Sequence, residues 1–311
     1  MKGFCVVTIT HDKEDLIIMC ARIDFNEFKD AQSLPSVTGV ALNVMQICSS
    51  DSLSLTALAT QIQTDPVLAG RFIEIANLHR QAATRPVLTV SRDTMLLTGT
   101  SAVRRLGQNV SFINVAQNNA AHVFDYNKFW SHSLAMACVV QAIGEHVAIA
   151  PAAELFTCGL LVGIGRLGLA AIRPHDYGCL LEKNKTATVA DLMALEKDRF
   201  GYDRVQLSAE MMKNWGVPAL FSNAVRFSKA PSLSGWHEDS RQQKLVRVLD
   251  LAGLIADIDC VSEQEKKTMQ PQLFPKAEAA GLAIENIKKI AMQASGEWIR
   301  THQAQRFSQR H

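Results

Sequence analysis

Residues 155–172 read Leu-Phe-Thr-Cys-Gly-Leu-Leu-Val-Gly-Ile-Gly-Arg-Leu-Gly-Leu-Ala-Ala-Ile, the most apolar stretch of the chain. The stretch is close in length to a helix that crosses a membrane. Arg166 and four glycines interrupt it, which disfavours one continuous helix in lipid. We therefore expect a pair of buried helices here, and no interaction with a membrane.

The glycines of the same stretch also match a nucleotide-binding pattern. Gly163, Gly165 and Gly168 spell G-x-G-x-x-G, and Glu182 follows 19 residues after the first glycine. That fingerprint needs a strand before it and a helix that opens at the phosphates. Residues 152–161 look helical instead, which favours a chance match. A nucleotide-binding sensor that uses residues 163–168 stays as an alternative.

Outward from this stretch the pattern is helical almost everywhere. Apolar residues recur at spacings of three and four, for example in residues 129–139 and 245–255. Four expected helix starts carry capping residues: Asp65-Pro66, Thr188 with Asp191, Ser240 with Gln243, and Ser262 with Glu265. Only residues 5–10 and 16–23 favour strands, which predicts a short N-terminal β-hairpin. The predicted fold class is all-α.

Composition narrows the class of protein. The chain has 311 residues, of which 48% are hydrophobic and 20% charged, as in a globular protein of about two domains. The net charge of +2 argues against a nucleic-acid partner. The seven cysteines form no Cys-x-x-Cys pair, so we expect free thiols in a reducing compartment. With no signal-peptide pattern at the N-terminus, the expected location is the cytoplasm.

A long helix is predicted at the C-terminus, over residues 283–307. One apolar stripe runs along it, formed by Ile284, Ile287, Ile290, Ala291, Ala294 and Trp298. The stripe can pack on the helix's own domain. It can also serve as a surface for a protein partner or for a homo-oligomer, with Ile287, Ile290 and Trp298 as candidate contact residues.

A series of short segments resembles the HDOD family. In chain order they are Leu34-Pro35-Ser36-Val37, Asp65-Pro66-Val67-Leu68, Ile75-Ala76-Asn77, Phe129-Trp130-Ser131-His132-Ser133, residues 159–167, Glu196 with Phe200-Gly201-Tyr202-Asp203, and Trp215-Gly216-Val217-Pro218. The resemblance covers about residues 30–230. It implies a multihelical fold in two lobes, related to the HD phosphohydrolases and used in bacterial signalling. The expected division is an extension over 1–25, lobes over 26–120 and 121–260, and a C-terminal extension over 261–311.

The resemblance also implies where a metal site of the wider superfamily would lie. There, histidine and aspartate ligands hold divalent ions that activate a water molecule. Only one of the nine histidines of this chain, His132, falls on such a ligand position. The His-Asp doublet falls on Val162-Gly163, later histidines fall on Arg204 and Ser228-Lys229, and the final aspartate on Asp250.

Most of these positions hold residues that cannot bind a cation. Valine and glycine side chains have no lone pair, and Arg204 and Lys229 bring positive charge. We therefore predict no catalytic residue, no metal and no cofactor. The leading hypothesis is a catalytically inactive signalling protein that binds another protein. The alternative is a metal-dependent phosphohydrolase with a relocated site built on His132 and Asp250, whose side chains could also simply satisfy each other.

Overall fold

The computed structural model describes residues 23–29, 34–78, 85–108, 124–259 and 263–307. Within these ranges every regular element is a helix, which confirms the all-α class. The hairpin predicted within residues 1–25 lies outside the described residues. The four proposed segments of the chain stay a prediction.

The α-helices are numbered in chain order. Their bounds are α1 Asn26–Lys29, α2 Thr38–Ser49, α3 Leu55–Ile62, α4 Pro66–Leu78, α5 Arg92–Thr98, α6 Thr100–Gln108, α7 Tyr126–Val147, α8 Ala152–Leu161, α9 Ile164–Ile172, α10 Pro174–Lys183, α11 Val189–Phe200, α12 Arg204–Asn214, α13 Ala219–Arg226, α14 Arg241–Asp259, α15 Glu263–Met269, α16 Leu273–Ala279 and α17 Ile284–Phe307. Short 3₁₀ helices occupy Pro231–Leu233 and Gln270–Gln272.

Helix α7 lies at the centre of the helices that follow residue 124, and α8, α14 and α17 all pack against it. Its first turn is capped by Asp125, whose carboxylate accepts a hydrogen bond from the Lys128 amide over 2.9 Å. The contact with α8 is close because Gly159 has no side chain. A Cβ atom on Gly159 would lie 2.8 Å from the Met136 carbonyl oxygen, so a larger residue would force the two helices apart.

The apolar stretch that opens the sequence analysis forms two helices, as expected. Helix α8 ends at Leu161, α9 begins at Ile164, and Val162 and Gly163 form the break. By length and hydropathy alone, residues 152–172 would be able to cross a membrane, but 67% of the apolar window is buried inside the protein. This burial is what a core helix pair shows. Because a helix and not a strand precedes Gly163, the dinucleotide fingerprint is not formed.

The close packing of two helices leaves no room for a side chain at Gly165. A Cβ atom on it would lie 2.2 Å from the Arg204 carbonyl oxygen and 2.7 Å from the Ser208 amide nitrogen. The Gly165 amide donates a hydrogen bond of 2.8 Å to the Ser208 hydroxyl. Helices α9 and α12 are therefore in backbone contact at this glycine.

The Asp65-Pro66 start is confirmed and does more than cap one helix. One carboxylate oxygen of Asp65 accepts hydrogen bonds from the Val67 and Leu68 amides, at 2.8 and 3.0 Å, in the first turn of α4. The other accepts from the Val37 amide at 2.7 Å, just before α2. Burial raises the pKa of Asp65 to about 6, although these three amides act to lower it. Asp65 thus joins the beginnings of α2 and α4.

The other predicted caps have mixed outcomes. Thr188 and Asp191 form the full reciprocal box at the start of α11. The Ser240 hydroxyl accepts a hydrogen bond from the Gln243 amide, but the Gln243 side chain binds Ser234 and the Pro231 carbonyl instead of closing the box. The box predicted from Ser262 lies outside the described residues.

From Ile287 onward, the apolar stripe of α17 packs against the interior of this protein. Ile287 and Ile290 are buried, and Trp298 packs against the core while its indole N–H donates to the Ser131 carbonyl over 3.2 Å. The stripe covers α7, so these three residues do not form an exposed partner surface in this structure. The outer face of α17 exposes other apolar residues, Met292 and Ile299.

We expect Gly165→Ala to lower the free energy of unfolding by about 2–3 kcal/mol, because the new methyl group overpacks the contact between α9 and α12. Chemical denaturation followed by circular dichroism measures the change. The control is Gly296→Ala in α17, where a Cβ meets no atom within 4 Å. There, higher helix propensity should stabilise the protein by about 0.5–1 kcal/mol. Equal effects of the two variants would contradict the close contact.

Candidate functional site

A pocket of about 90 Å³ opens where α7, α9, α12 and α14 meet. Its wall is formed by Phe129, His132, Met136, Val162, Gly163, Arg166, Val189, Arg204, Val205, Ser228, Lys229, Leu249, Gly253 and Asp257. Six of the seven positions to which the resemblance assigns superfamily ligands lie on this wall. The structure therefore brings together residues that are up to about a hundred positions apart in the sequence.

His132 is paired with a carboxylate at this pocket. Its Nε2 atom lies 2.8 Å from Oδ1 of Asp257, which is on α14. Burial by itself would raise the pKa of Asp257. The hydrogen bond from His132 and the positive charges of Lys229 and Arg166 outweigh that effect, so the pKa is held below its usual value. Asp257 is therefore ionised at neutral pH.

Asp250, the other predicted ligand, lies elsewhere. Its carboxylate forms an ion pair with Lys276 of α16, and it is not part of the pocket wall. Asp250 and Asp257 are seven residues apart, about two helical turns, so both point from a similar face of α14. His132 thus meets Asp257, and the pairing with Asp250 considered from the sequence is not formed.

Arg204 is held by a fully buried carboxylate. Glu196 is 0% exposed and accepts hydrogen bonds from Nε of Arg204 at 2.8 Å, from the Arg204 amide at 2.9 Å and from the Tyr177 hydroxyl at 3.0 Å. Burial raises the pKa of Tyr177 to about 12, so its hydroxyl stays a donor. The positive charge of Arg204 is therefore compensated within the protein.

Two further cations line the pocket. Nζ of Lys229 lies 3.8 Å from Oδ2 of Asp257, beyond hydrogen-bond distance. The Arg166 guanidinium lies 5.8 Å from the centre of the Phe124 ring, in a cation–π arrangement. Its Nε atom is buried and has no hydrogen-bond partner among the described residues. Arg166 is on α9, within the stretch where the sequence marked it only as an interruption.

The residues of the pocket do not fit a divalent metal ion. In the described part of the chain, no three His, Cys, Asp or Glu side chains lie close enough to hold one. His132 and Asp257 are paired with each other, and the cations Lys229 and Arg166 line the same pocket. Positive side chains at a ligand position repel a metal ion and offer it no lone pair.

The buried cysteines offer no nucleophile either. Burial raises the pKa of Cys138 and of Cys158 to about 12, and neither residue lines the pocket. Both thiols therefore stay protonated at neutral pH.

Sequence reasoning missed Asp257 and Arg166. Both are visible in the sequence as charged residues whose two chain neighbours are apolar or glycine, which is the signal that could have found them. Their meeting with His132 depends on how α7, α9 and α14 pack together.

Comparisons with known proteins agree with this fold. A family model described as the HDOD domain matches residues 34–231. The chain is similar to the MmoQ response regulator of Methylococcus capsulatus, with 32% identity and a TM-score of 0.67 over 84% of this chain and 98% of that one. A virulence factor of Campylobacter jejuni shares the fold at 16% identity and a TM-score of 0.53, over 79% and 92% of the two chains. No curated protein matches the sequence.

We expect Asp257→Asn to lower the free energy of unfolding by about 1 kcal/mol at pH 7, a modest loss because the carboxylate is 36% exposed. A carboxyl whose pKa is lowered by folding stabilises the fold above its unfolded pKa, and this contribution disappears as the pH falls through the folded pKa. The gap between wild type and variant should therefore narrow below about pH 4.

Denaturant titrations over a pH series measure this gap. The control is Asp239→Asn, at an exposed position between two helices, which should change stability little at any pH. A gap for Asp257→Asn that stays constant down to low pH would contradict the lowered pKa of Asp257.

Proposed function

Because the chain belongs to the HDOD family, we propose that it is a catalytically inactive signalling protein that acts by binding another protein. The observation that carries this proposal is the chemistry of the pocket wall. Val162 and Gly163 stand where the family resemblance expects the central metal ligands, and Lys229 stands beside the one carboxylate. A phosphohydrolase centre at this place would be degenerate.

Two observations support the signalling half of the proposal. The HDOD match covers residues 34–231, most of both predicted lobes, and the similar protein from Methylococcus capsulatus is a response regulator. We extend the proposal to a bacterial protein that works in the cytoplasm. This location fits the free cysteines of the described residues, of which Cys48, Cys138 and Cys158 are buried.

We place the partner surface away from the α17 stripe, because the buried side chains of that stripe pack against the protein's own core. Large apolar side chains are exposed on α5, where Leu97 is 86% exposed and its neighbour Leu96 is 48% exposed. Exposed leucines of this size are suited to an interface with another protein or with a second copy of this chain.

A second candidate, a metal-dependent phosphohydrolase, has one observation in its favour. His132 and Asp257 bring a nitrogen and a carboxylate oxygen within 2.8 Å of each other in a pocket. Both are ligand types of the HD superfamily. The candidate lacks a third ligand among the described residues, and it must accommodate two cations at the same place.

Metal analysis and a phosphodiesterase assay separate the two candidates. For the inactive protein we expect far less than one Mn, Fe, Ni or Zn per chain after incubation with each ion and desalting. Hydrolysis of bis(p-nitrophenyl) phosphate should equal that of His132→Ala, which is the matched background. One metal per chain, together with activity that His132→Ala abolishes, would overturn the proposal and establish the phosphohydrolase.

The partner half needs its own measurement. Tagged protein captured from the native cells after cross-linking should retain one partner at a reproducible ratio. The His132→Ala variant should retain the same partner, because the pocket chemistry is not used. Leu97→Glu, which puts a charge on an exposed apolar position, should reduce capture without changing the unfolding temperature. Absence of any reproducible partner, including a second copy, contradicts this half.

A further inference from the structure

The charges of the pocket do not balance. Four basic side chains line it: His132, Arg166, Arg204 and Lys229. Glu196 compensates Arg204 from behind, and among the residues that the structure describes Asp257 is the one acidic side chain on the wall. Asp257 can compensate Arg166 or Lys229, but not both. With His132 neutral, the pocket therefore has about one positive charge in excess, and with His132 protonated about two.

The excess charge is accompanied by unused hydrogen-bond donors. The Nε–H group of Arg166 is buried without a hydrogen-bond partner among the described residues. A buried donor of this kind favours an acceptor that reaches it. Lys229 is too far from Asp257 for a hydrogen bond, so its ammonium group also has donors to offer. Both side chains lie on the same wall.

Most of the other side chains on the wall are apolar. Phe129, Met136, Val162 and Leu249 line the pocket beside the charged groups. A simple inorganic anion would leave this surface in contact with water. A ligand with an apolar or aromatic body would cover it and gain from its burial.

We infer that this pocket binds a small organic anion, with its oxyanion group at Arg166 and Lys229 and its apolar body against Phe129 and Met136. The negative charge of the ligand would balance the excess positive charge of this pocket. In a phosphohydrolase, by contrast, the pocket binds a metal cation. The inference shares one requirement with the proposed function, that no metal fills the pocket, and it is independent of the protein partner. On this inference, the pocket is a binding site for a small metabolite.

Calorimetric titration with four probes tests the inference, in buffers depleted of metal by a chelating resin. The probes are phenyl phosphate, benzoate, neutral benzyl alcohol and inorganic phosphate. We expect phenyl phosphate to bind with a dissociation constant of about 1 mM or lower. Benzyl alcohol and inorganic phosphate, which each lack one half of the ligand, should bind at least about tenfold more weakly. Binding of benzoate as tight as that of phenyl phosphate supports a carboxylate ligand, and weaker binding supports a phosphate ester.

Variants locate the binding. Lys229→Gln and Arg166→Gln should each raise the dissociation constant for phenyl phosphate about tenfold, since each removes a charged donor. Lys213→Gln removes the same charge from the exposed end of α12, outside the pocket wall, and should leave binding unchanged. If Arg166→Gln fails to fold, the result for Lys229→Gln tests the site. The Lys229 side chain is partly exposed, so its replacement should leave the fold intact.

Three results would overturn the inference: no binding of either organic anion at about 10 mM, equal binding of benzyl alcohol, or an unchanged dissociation constant in Lys229→Gln. Its failure is distinguishable from failure of the proposed function. One metal per chain together with phosphodiesterase activity that His132→Ala abolishes contradicts the inactive signalling protein, whereas absence of anion binding in metal-free protein contradicts only the anion site.

Discussion

The buried ion pair between Glu196 and Arg204 is the constraint around which the C-terminal half is arranged. An ionised carboxylate without exposure to water is costly unless it is fully paired. Tyr177 on α10 and Arg204 on α12 supply the donors for Glu196 on α11, so three consecutive helices must meet at one point. The backbone of Arg204 then lies against Gly165, which brings in α9 and with it one wall of the pocket. Weakening the Glu196–Arg204 ion pair would therefore displace the pocket wall as well as helices α10, α11 and α12.

Each of the short segments that mark the family contributes residues to a contact with a distant part of the chain. The Asp65 carboxylate accepts a hydrogen bond from the Val37 amide. The side-chain amide of Asn77 donates hydrogen bonds to the carbonyl oxygens of Trp215 and Val87, each over 3.0 Å. Residues 129–133 and 159–167 each supply part of the pocket wall. Each segment is short because one or two side chains make the contact, and the segments are far apart because the contacts join distant helices. The order of the segments along the chain therefore carries information about tertiary structure.

The features that could be predicted from the sequence are those that depend on residues close together in the chain. The caps at Asp65 and Thr188 depend on residues within one helical turn, and the break after Leu161 coincides with a glycine. Periodicity identified an apolar face on the last helix, but no pattern could say that α7 covers it. For the same reason the sequence did not distinguish Asp250 from Asp257. The two lie about two turns apart on one face, and only the position of α7 decides which of them reaches His132.

The cysteines of the central helix pair give the protein a built-in reporter of its own opening. Cys138 on α7 and Cys158 on α8 are about 1% exposed or less, and with pKa values near 12 they contain almost no thiolate at neutral pH. An alkylating reagent or an oxidant can attack them only after the two helices separate. The rate at which these two thiols react therefore measures how often the core opens, and in the closed fold both are shielded from oxidants that would modify an exposed cysteine.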